Sequence, residues 1–207
     1  MTPRVTIVTS TWHRTGTLIN VACASVATQT WPNLEHLVMI DGDDADTRVA
    51  LHNAGYRANH HSDRRYCFLG RNWSEYSGDG GFGSTCRMTG AWLASGDFIT
   101  YLDDDNEYDP GHIAEMVQHF ADDTDFVTCA WRGNNANACN ADPGVGRTDT
   151  NAIMHRAMVL KKAGGFALDG YCGDGHMVER WKAAGLHHVY KESRTVHIPL
   201  SRHGAAD

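Results

Sequence analysis

The sequence predicts an α/β fold in which helices cover a mostly parallel sheet. Apolar runs of strand length alternate with segments of helical period along the chain. Several of these runs are uniformly apolar, as expected for strands that are buried on both faces. The length of 207 residues, of which 42% are hydrophobic, is sufficient for one domain with a substantial core. We therefore expect a single domain over residues 1–207.

Each element of this fold has its own pattern in the chain. Strands are expected at the apolar runs 5–9, 36–40, 98–102 and 126–130. Helices are expected at 15–28, 84–94, 110–120, 156–163 and 174–184. The third helix follows Pro110, with Asp109 as its candidate cap. Residues 74–84 and 132–148 are rich in Gly, Asn and Asp and are expected to be loops.

The composition limits the function and the compartment. A formal net charge of −7 argues against a protein that binds nucleic acid mainly by neutralising phosphates. The 13 histidines and six cysteines lack the spacing of a zinc site or a disulfide framework. No window approaches the roughly 20 apolar residues of a transmembrane segment. We expect a soluble, cytoplasmic protein.

Three consecutive carboxylates give the strongest local signal for chemistry. The apolar run 98–102 ends in Asp103, Asp104 and Asp105, and ligands of open α/β sheets bind at the carboxyl ends of strands. If strand alternation continues, Asp103 and Asp105 point the same way and Asp104 points elsewhere. Paired carboxylates suit Mg²⁺ or Mn²⁺ with a diphosphate as the remaining ligand. Taken alone, the three residues are equally consistent with an acidic turn that caps the next helix.

Four further segments occur in the order found in a known enzyme family. They read VTIVTSTWHR at 5–14, ASVATQTWPNLE at 24–35, LVMIDGD at 37–43 and RMTGAWLASGDFITYLDDD at 87–105. Together they resemble the inverting glycosyltransferases of family 2, well over residues 3–120 and more loosely over 153–185. The resemblance implies a GT-A type fold, a Rossmann-like sheet flanked by helices, with residues 1–110 binding the nucleotide-sugar and 111–207 holding the acceptor and the catalytic base.

The resemblance also implies roles for single residues on the donor side. Asp41, together with the turn containing Thr9 and Thr11, would contact the nucleoside, and a carboxylate at this place tilts the donor towards a UDP-sugar. Arg87 would lie near the nucleotide. Asp103 would face the ribose and the metal, with Asp104 beside the substrate. Asp105 would be the direct ligand of Mn²⁺ or Mg²⁺.

The second half supplies the candidate base and a further ligand. The segments AGGF at 163–166 and CGDGHMVERW at 172–181 resemble the family motif whose Asp deprotonates the acceptor hydroxyl, which makes Asp174 the expected base. A helix N-cap is the alternative role for Asp174. His197, expected after a last strand, is a candidate third metal ligand, with a packed core histidine as the alternative. Trp131, followed by the amide-rich residues 134–140, suits stacking on a carbohydrate or a nucleobase.

Other functions remain open at this point. Met88 and Gly173 replace the Asn and Glu that the family usually has, which leaves room for a degenerate protein that binds a nucleotide-sugar without turnover. A sugar nucleotidyltransferase needs a glycine-rich loop directly after the first strand, whereas here the glycines lie at 80–83. An NAD-binding protein would need a G-x-G-x-x-G motif there. The expected partners are a nucleotide-sugar donor and a soluble acceptor: a saccharide, a small molecule or a modified nucleic-acid base.

Overall fold

The computed structural model describes residues 1–58, 62–76, 83–133, 142–168, 170 and 172–198. Its strands are β1 (Val5–Thr11), β2 (Leu34–Ile40), β3 (Arg64–Phe68), β4 (Phe98–Tyr101), β5 (Glu107–Tyr108), β6 (Phe126–Gly133), β7 (Ile153–Arg156) and β8 (His188–Ile198). All four predicted strands are confirmed. Parts of the two predicted loops, 77–82 and 134–141, lie outside the described residues.

The helices alternate with these strands. They are α1 (Thr15–Thr17), a π-helical segment (Leu18–Cys23), α2 (Ala24–Ala27), α3 (Ala45–Asn53), α4 (Trp73–Tyr76), α5 (Ser84–Leu93), α6 (His112–Val117), a 3₁₀ turn (Thr150–Ala152), α7 (Met158–Ala163) and α8 (Gly173–Ala183). The first three are consecutive and replace the single predicted helix 15–28. The predicted cap Asp109 is wrong, because the residue before α6 is Gly111 and the Asp109 carboxylate pairs with Arg132 instead.

The strands form one eight-stranded sheet in the described part of the chain, in the order β3-β2-β1-β4-β7-β6-β8-β5. Strands β1 to β4 are mutually parallel. Strand β7 runs antiparallel to both β4 and β6, β8 runs parallel to β6, and β5 runs antiparallel to β8. Only β5 and β7 therefore oppose the common direction, which confirms the predicted α/β fold with a mostly parallel sheet.

Two apolar clusters lie on opposite faces of this sheet. Alternate residues of β1 show the division, since Ile7 packs into the first cluster and Val8 into the second. The first cluster includes residues of the π-helical segment and α6, and the second includes residues of α5, α7 and α8. Helices thus cover both faces and leave the carboxyl ends of the central strands open to carry polar groups.

The described part of the chain contains no helix that is both long and apolar enough to cross a bilayer. Its five described cysteines are free.

Candidate active site

The candidate site lies where the central strands β2, β1 and β4 end side by side. Thr11 at the end of β1 pairs with Ile40 at the end of β2, and Val8 pairs with Tyr101 at the end of β4. Asp41 and Asp103 each follow one of these strand ends closely. The carboxyl ends of parallel strands meet at one edge, which is the usual ligand position in open α/β sheets.

Asp103 is held from two directions. Its carboxylate forms an ion pair with the guanidinium of Arg87 on α5, and its Oδ2 accepts a hydrogen bond from Asn151 Nδ2 at 3.0 Å. The backbone N–H of Asp103 donates to Asn151 Oδ1 at 2.6 Å. Burial acts to raise the pKa of Asp103, but the charge of Arg87 and these hydrogen bonds outweigh it and hold the pKa below its ordinary value. Asp103 is therefore a stable anion.

Asp104 and Asp105 share a different guanidinium, that of Arg14. Arg14 Nη1 lies 2.9 Å from Asp104 Oδ1, and Nη2 lies 2.7 Å from Asp105 Oδ2. Thr11 donates to Asp104 Oδ2 at 2.7 Å. Asp104 is only 4% exposed, and burial raises its pKa to about 6 against the opposing effects of Arg14 and Thr11. Asp105 retains partial access to solvent, with 18% of its side chain exposed.

These partners correct the expectation drawn from strand alternation. Strand β4 ends at Tyr101, and Asp104 and Asp105 lie in a turn, so the period of two does not extend through the three aspartates. Asp103 is drawn towards Arg87, while Asp104 and Asp105 are bridged by Arg14. Asp104 and Asp105 thus contact the same guanidinium, and Asp104 does not point away from Asp105.

Two residues expected to contact the nucleoside, Asp41 and Thr9, have different surroundings in the structure: Asp41 lies at the strand end, whereas Thr9 lies in the core. Asp41 lies directly after β2, is 3% exposed, and accepts a hydrogen bond from the backbone N–H of Trp73 at 2.7 Å. The next residue, Gly42, has φ +107°, and a Cβ there would lie 2.6 Å from the ring of Trp12. Thr9 is fully buried, and its Oγ1 lies 3.0 Å from Nε2 of the buried His36. Its hydroxyl thus serves the core, and this placement does not support the predicted contact with a nucleoside.

Asp174 lies in the first turn of α8, close to the donor half of the site. Its Oδ1 accepts a hydrogen bond from the backbone N–H of Gly175 at 2.7 Å, and its Oδ2 accepts one from Thr150 Oγ1 at 3.1 Å. Burial raises the pKa of Asp174, and the charge of Arg87 opposes this rise. The residue that precedes α8 is Cys172, so Asp174 is not the N-cap. Arg87 therefore acts electrostatically on both Asp103 and Asp174.

A further carboxylate of the site, that of the half-buried Asp149, was not anticipated. Its Oδ1 accepts hydrogen bonds from the backbone N–H and the side-chain Nδ2 of Asn151, both at 2.8 Å. Burial and the charge of Asp103 raise the pKa of Asp149 to about 7. Because Asn151 is fully buried and also bonds Asp103, one amide side chain joins two carboxylates.

His197 and Trp131 lie on β8 and β6, and β8 pairs with β5, which begins two residues after Asp105. His197 lies within β8 and pairs with Glu107 of β5; its Nδ1 is 2.6 Å from Glu107 Oε1. Trp131 lies on β6, opposite Val196, and packs against the first apolar cluster. Neither residue hydrogen-bonds the three aspartates in the described part of the chain. Residues 134–140, the predicted amide-rich neighbour of Trp131, lie outside it.

Four residues of the site were missed from sequence: Arg14, Asp149, Thr150 and Asn151. Arg14 lies in the segment that follows the first strand, so a basic residue near the end of that strand was a usable signal. The other three lie in the stretch DTN at 149–151, which sequence reasoning left without a role. Their importance depends on β7, which brings this stretch beside β4.

The carboxylate oxygens of the site suit a hard divalent cation as ligands. Asp105 Oδ1 has no hydrogen-bond partner among the described residues, and carboxylate oxygens are what Mg²⁺ and Mn²⁺ prefer. No group of three or more His, Cys, Asp or Glu side chains in the described ranges is arranged to hold an ion. Because Arg87 and Arg14 draw the aspartates towards two different partners, the protein offers few ligands at once. This arrangement fits an ion that takes one or two carboxylates and completes its shell with phosphate and water.

Comparisons with known proteins identify relatives of this chain. The chain is 29% identical over 116 residues to the GalNAc(5)-diNAcBac-PP-undecaprenol beta-1,3-glucosyltransferase of Campylobacter jejuni, a match that covers 56% of this chain and 34% of that relative. The chain thus spans about a third of the length of this curated relative.

Solved structures share the fold. The mannosyltransferase PcManGT from Pyrobaculum calidifontis, in complex with GDP-Man and Mn²⁺, superposes with a TM-score of 0.76 at 18% identity, over 99% of this chain and 59% of that one. TarS 1-349 of S. aureus, in complex with UDP-GlcNAc, gives a TM-score of 0.70 at 13% identity, over 99% and 62%. These likenesses confirm the predicted GT-A fold. The model of the family described as glycosyl transferase family 2 matches residues 6–156, and this chain belongs to that family.

Proposed function

We propose that this protein is a glycosyltransferase that moves a sugar from a nucleoside diphosphate to an acceptor hydroxyl with inversion. One observation carries the proposal: Arg87 links an anionic cluster at the strand ends, Asp103 to Asp105, to a separate carboxylate with a raised pKa, Asp174. A single displacement needs such a pair of sites, one for the leaving diphosphate and one for a base at the nucleophile. The family and the fold support the same activity.

On the donor side, residues 1–110 would bind the nucleotide. Asp41 is buried at the end of β2, and its carboxylate accepts a hydrogen bond from the backbone N–H of Trp73. A carboxylate is a suitable acceptor for the N–H of a uracil ring, so we propose UDP as the nucleotide. The proposal includes Asp103 near the ribose and Thr11 as support for Asp104, but it leaves out the side chain of Thr9 because His36 engages it.

The proposed cation is Mn²⁺ or Mg²⁺, bound through Asp105 with contributions from Asp103 and His197. When bound, it would neutralise the diphosphate as the bond to the sugar breaks. The contact between His197 Nδ1 and Glu107 is compatible with this role, since metal-binding histidines usually donate their second N–H to a carboxylate. Support for the cation comes from the carboxylates themselves and from the Mn²⁺ in the PcManGT complex.

On the acceptor side, residues 111–207 would supply the base. Asp174 would take the proton of the acceptor hydroxyl through a carboxylate that Thr150 and Gly175 orient. Its raised pKa strengthens it as a base. Trp131 would stack on the acceptor from β6.

The proposal is tested by donor binding in two variants. Thermal unfolding is followed with UDP-GlcNAc and with GDP-mannose, each with and without Mn²⁺, because a ligand of the native state raises its apparent stability. We expect a metal-dependent stabilisation that Asp105→Ala abolishes. Asp174→Asn should keep this stabilisation but lose the release of nucleoside diphosphate from the donor.

A matched control is Asp123→Ala, since that carboxylate is 77% exposed and lies before the amino end of β6, whereas the site lies at the carboxyl ends of the strands. It should behave as the wild type in both measurements. Equal loss of donor binding in Asp105→Ala and Asp174→Asn would show that Asp174 is not the base. No stabilisation of the wild type by any donor would favour a degenerate protein without this activity.

A further inference from the structure

Arg14 bridges Asp105, the main proposed ligand of the cation, and its neighbour Asp104. Its two terminal nitrogens reach Asp104 and Asp105 separately, at 2.9 and 2.7 Å. The Arg14 side chain is 36% exposed, whereas Asp104 is almost fully buried. The guanidinium thus lies over the solvent side of the aspartates, where a ligand would approach.

The turn that carries Arg14 is fixed by its own contacts. His13, the preceding residue, adopts φ +52°, an unusual value for a residue with a side chain. Its backbone N–H donates to Asp44 Oδ2 at 3.1 Å, and Asp44 is buried and caps α3. The carbonyl of Arg14 accepts a hydrogen bond from Leu18 N–H at 2.9 Å. The backbone of Arg14 is therefore anchored on both sides, and only its side chain is left to move.

A guanidinium and a divalent cation cannot share Asp105 at low cost. A metal ion binds a carboxylate oxygen at about 2.1 Å, and Arg14 already lies 2.7 Å from Oδ2 of the same carboxylate. Two cations on one partly buried carboxylate repel each other strongly, because little water screens them. The guanidinium therefore opposes binding of the ion for as long as it stays on Asp105.

We propose that Arg14 is a positioning residue that, held by Asp104, competes with the divalent cation for Asp105 and so couples cation binding to the diphosphate. A diphosphate offers the displaced guanidinium a new bidentate acceptor, which guanidinium groups bind well. The cation then binds weakly alone and more tightly with the nucleotide. This inference rests on the cation site of the proposed function, and it adds the order and the coupling of the two ligands.

The test measures the affinity for Mn²⁺ directly, by the decrease in the electron paramagnetic resonance signal of free Mn²⁺. Wild type, Arg14→Gln and Arg14→Met are titrated with Mn²⁺ alone and with Mn²⁺ plus UDP. Loss of the competing charge should make Mn²⁺ alone bind about tenfold tighter in both neutral variants. The factor by which UDP improves Mn²⁺ affinity should fall by a similar amount, because no guanidinium is left for UDP to draw away from Asp105.

Two further variants separate competition from a general change of charge. Arg14→Lys keeps a cation and should bind Mn²⁺ alone nearly as weakly as the wild type. Arg48→Gln removes a charge from a nearby surface pair with Asp43 and should leave the Mn²⁺ affinity unchanged.

The outcomes distinguish this inference from the proposed function. Unchanged or weaker binding of Mn²⁺ alone in both Arg14→Gln and Arg14→Met would overturn the competition. If the neutral variants bind Mn²⁺ alone about tenfold tighter but UDP still improves their Mn²⁺ affinity by the wild-type factor, the proposed coupling is overturned. If neither wild type nor variants bind Mn²⁺ even with UDP, the cation site of the proposed function itself fails.

Discussion

Three neighbouring carboxylates of the site, Asp103, Asp104 and Asp149, differ in pKa chiefly because their hydrogen-bond and ion-pair partners differ. Burial opposes ionisation in each of Asp103, Asp104 and Asp149. Arg87 and Asn151 reverse this effect only for Asp103, whereas the pKa values of the other two rise to about 6 and about 7. One permanent anion beside two titrating acids limits the repulsion between like charges in a small volume.

A first prediction concerns the hydrogen bond from Thr150 to Asp174. This bond lowers the pKa of Asp174 against the effect of burial, so its removal should raise that pKa further. The proposed base works deprotonated, and activity is therefore lost as pH falls through its pKa. In Thr150→Val, the acidic limb of the profile of nucleoside diphosphate release against pH should move to higher pH.

The conservative variant Thr150→Ser keeps the hydroxyl and should retain the wild-type profile. The KM for the donor should change little in either variant, since Thr150 contacts Asp174 and not the strand-end aspartates. Identical profiles for the Val and Ser variants would show that the hydroxyl does not orient the base.

At the scale of elements, the sequence predicted the central strands and most of the helices, because these carry continuous apolar runs or a clear helical period. It missed α3, since Thr47 and Leu51 are the only buried residues in that helix. It missed β3 because its run RRYCF begins with two arginines, of which Arg65 is buried against Glu35. Strand β8 is largely polar and is held by its neighbour β6. Such elements depend on partners distant in the chain.

The candidate site likewise has residues that a local sequence pattern reveals and contacts that depend on distant parts of the chain. Asp41, Asp103, Asp104, Asp105 and Asp174 were found because they follow apolar strands or match family motifs, whereas Asp149 does neither and was missed. The ion pairs of the site were not predicted from the sequence, since Arg14 and Asp105, for example, are 91 residues apart in the chain. Only the pairing of β1 with β4 brings the end of one strand to the aspartates that follow the other.

The second prediction concerns the contact of α5 with the sheet. Gly90 lies on the buried face of α5, and a Cβ there would lie 2.5 Å from Val8 Cγ1 and 2.9 Å from Met39 Cγ. Gly90→Ala should force the helix away from β1 and β2 and lower the free energy of unfolding by about 1–3 kcal/mol. Urea denaturation measures this change. Because Arg87 lies one turn earlier on α5, donor binding should weaken as well.

The matched control is Gly16→Ala in α1, where no atom lies within 4 Å of the added Cβ. Alanine favours a helix over glycine, so this variant should be unchanged or up to about 1 kcal/mol more stable. If Gly90→Ala were as stable as Gly16→Ala, the close packing of α5 on the sheet would not constrain the fold.

At the scale of the whole molecule, the two ends of the parallel strands differ in role: one carries the candidate site and the other carries contacts that stabilise the fold. The carboxyl ends carry the candidate site, and the amino ends carry a buried ion pair between Glu35 on β2 and Arg65 on β3. Glu35 Oε1 accepts from Arg65 Nε at 2.7 Å, while Oε2 accepts from Thr6 Oγ1 at 2.5 Å and from Ser95 N–H at 2.8 Å. One carboxylate thus ties three strands to the chain that follows α5.

The last prediction tests this junction through its dependence on pH. Burial acts to raise the pKa of Glu35, but its three donors and the charge of Arg65 hold the pKa below the ordinary value of 4.5. A carboxyl whose pKa is lower in the folded state stabilises the protein above its unfolded pKa and loses that effect as pH falls through the folded value. Glu35→Gln leaves Arg65 buried without its counter-charge and should cost about 3–5 kcal/mol at pH 7. The exposed Glu192→Gln should cost almost nothing. In urea denaturation from pH 7 to 3, the gap between wild type and Glu35→Gln should stay constant to about pH 4.5 and then narrow. A gap that stays constant down to pH 3 would mean that the variant loses packing rather than a charged partner.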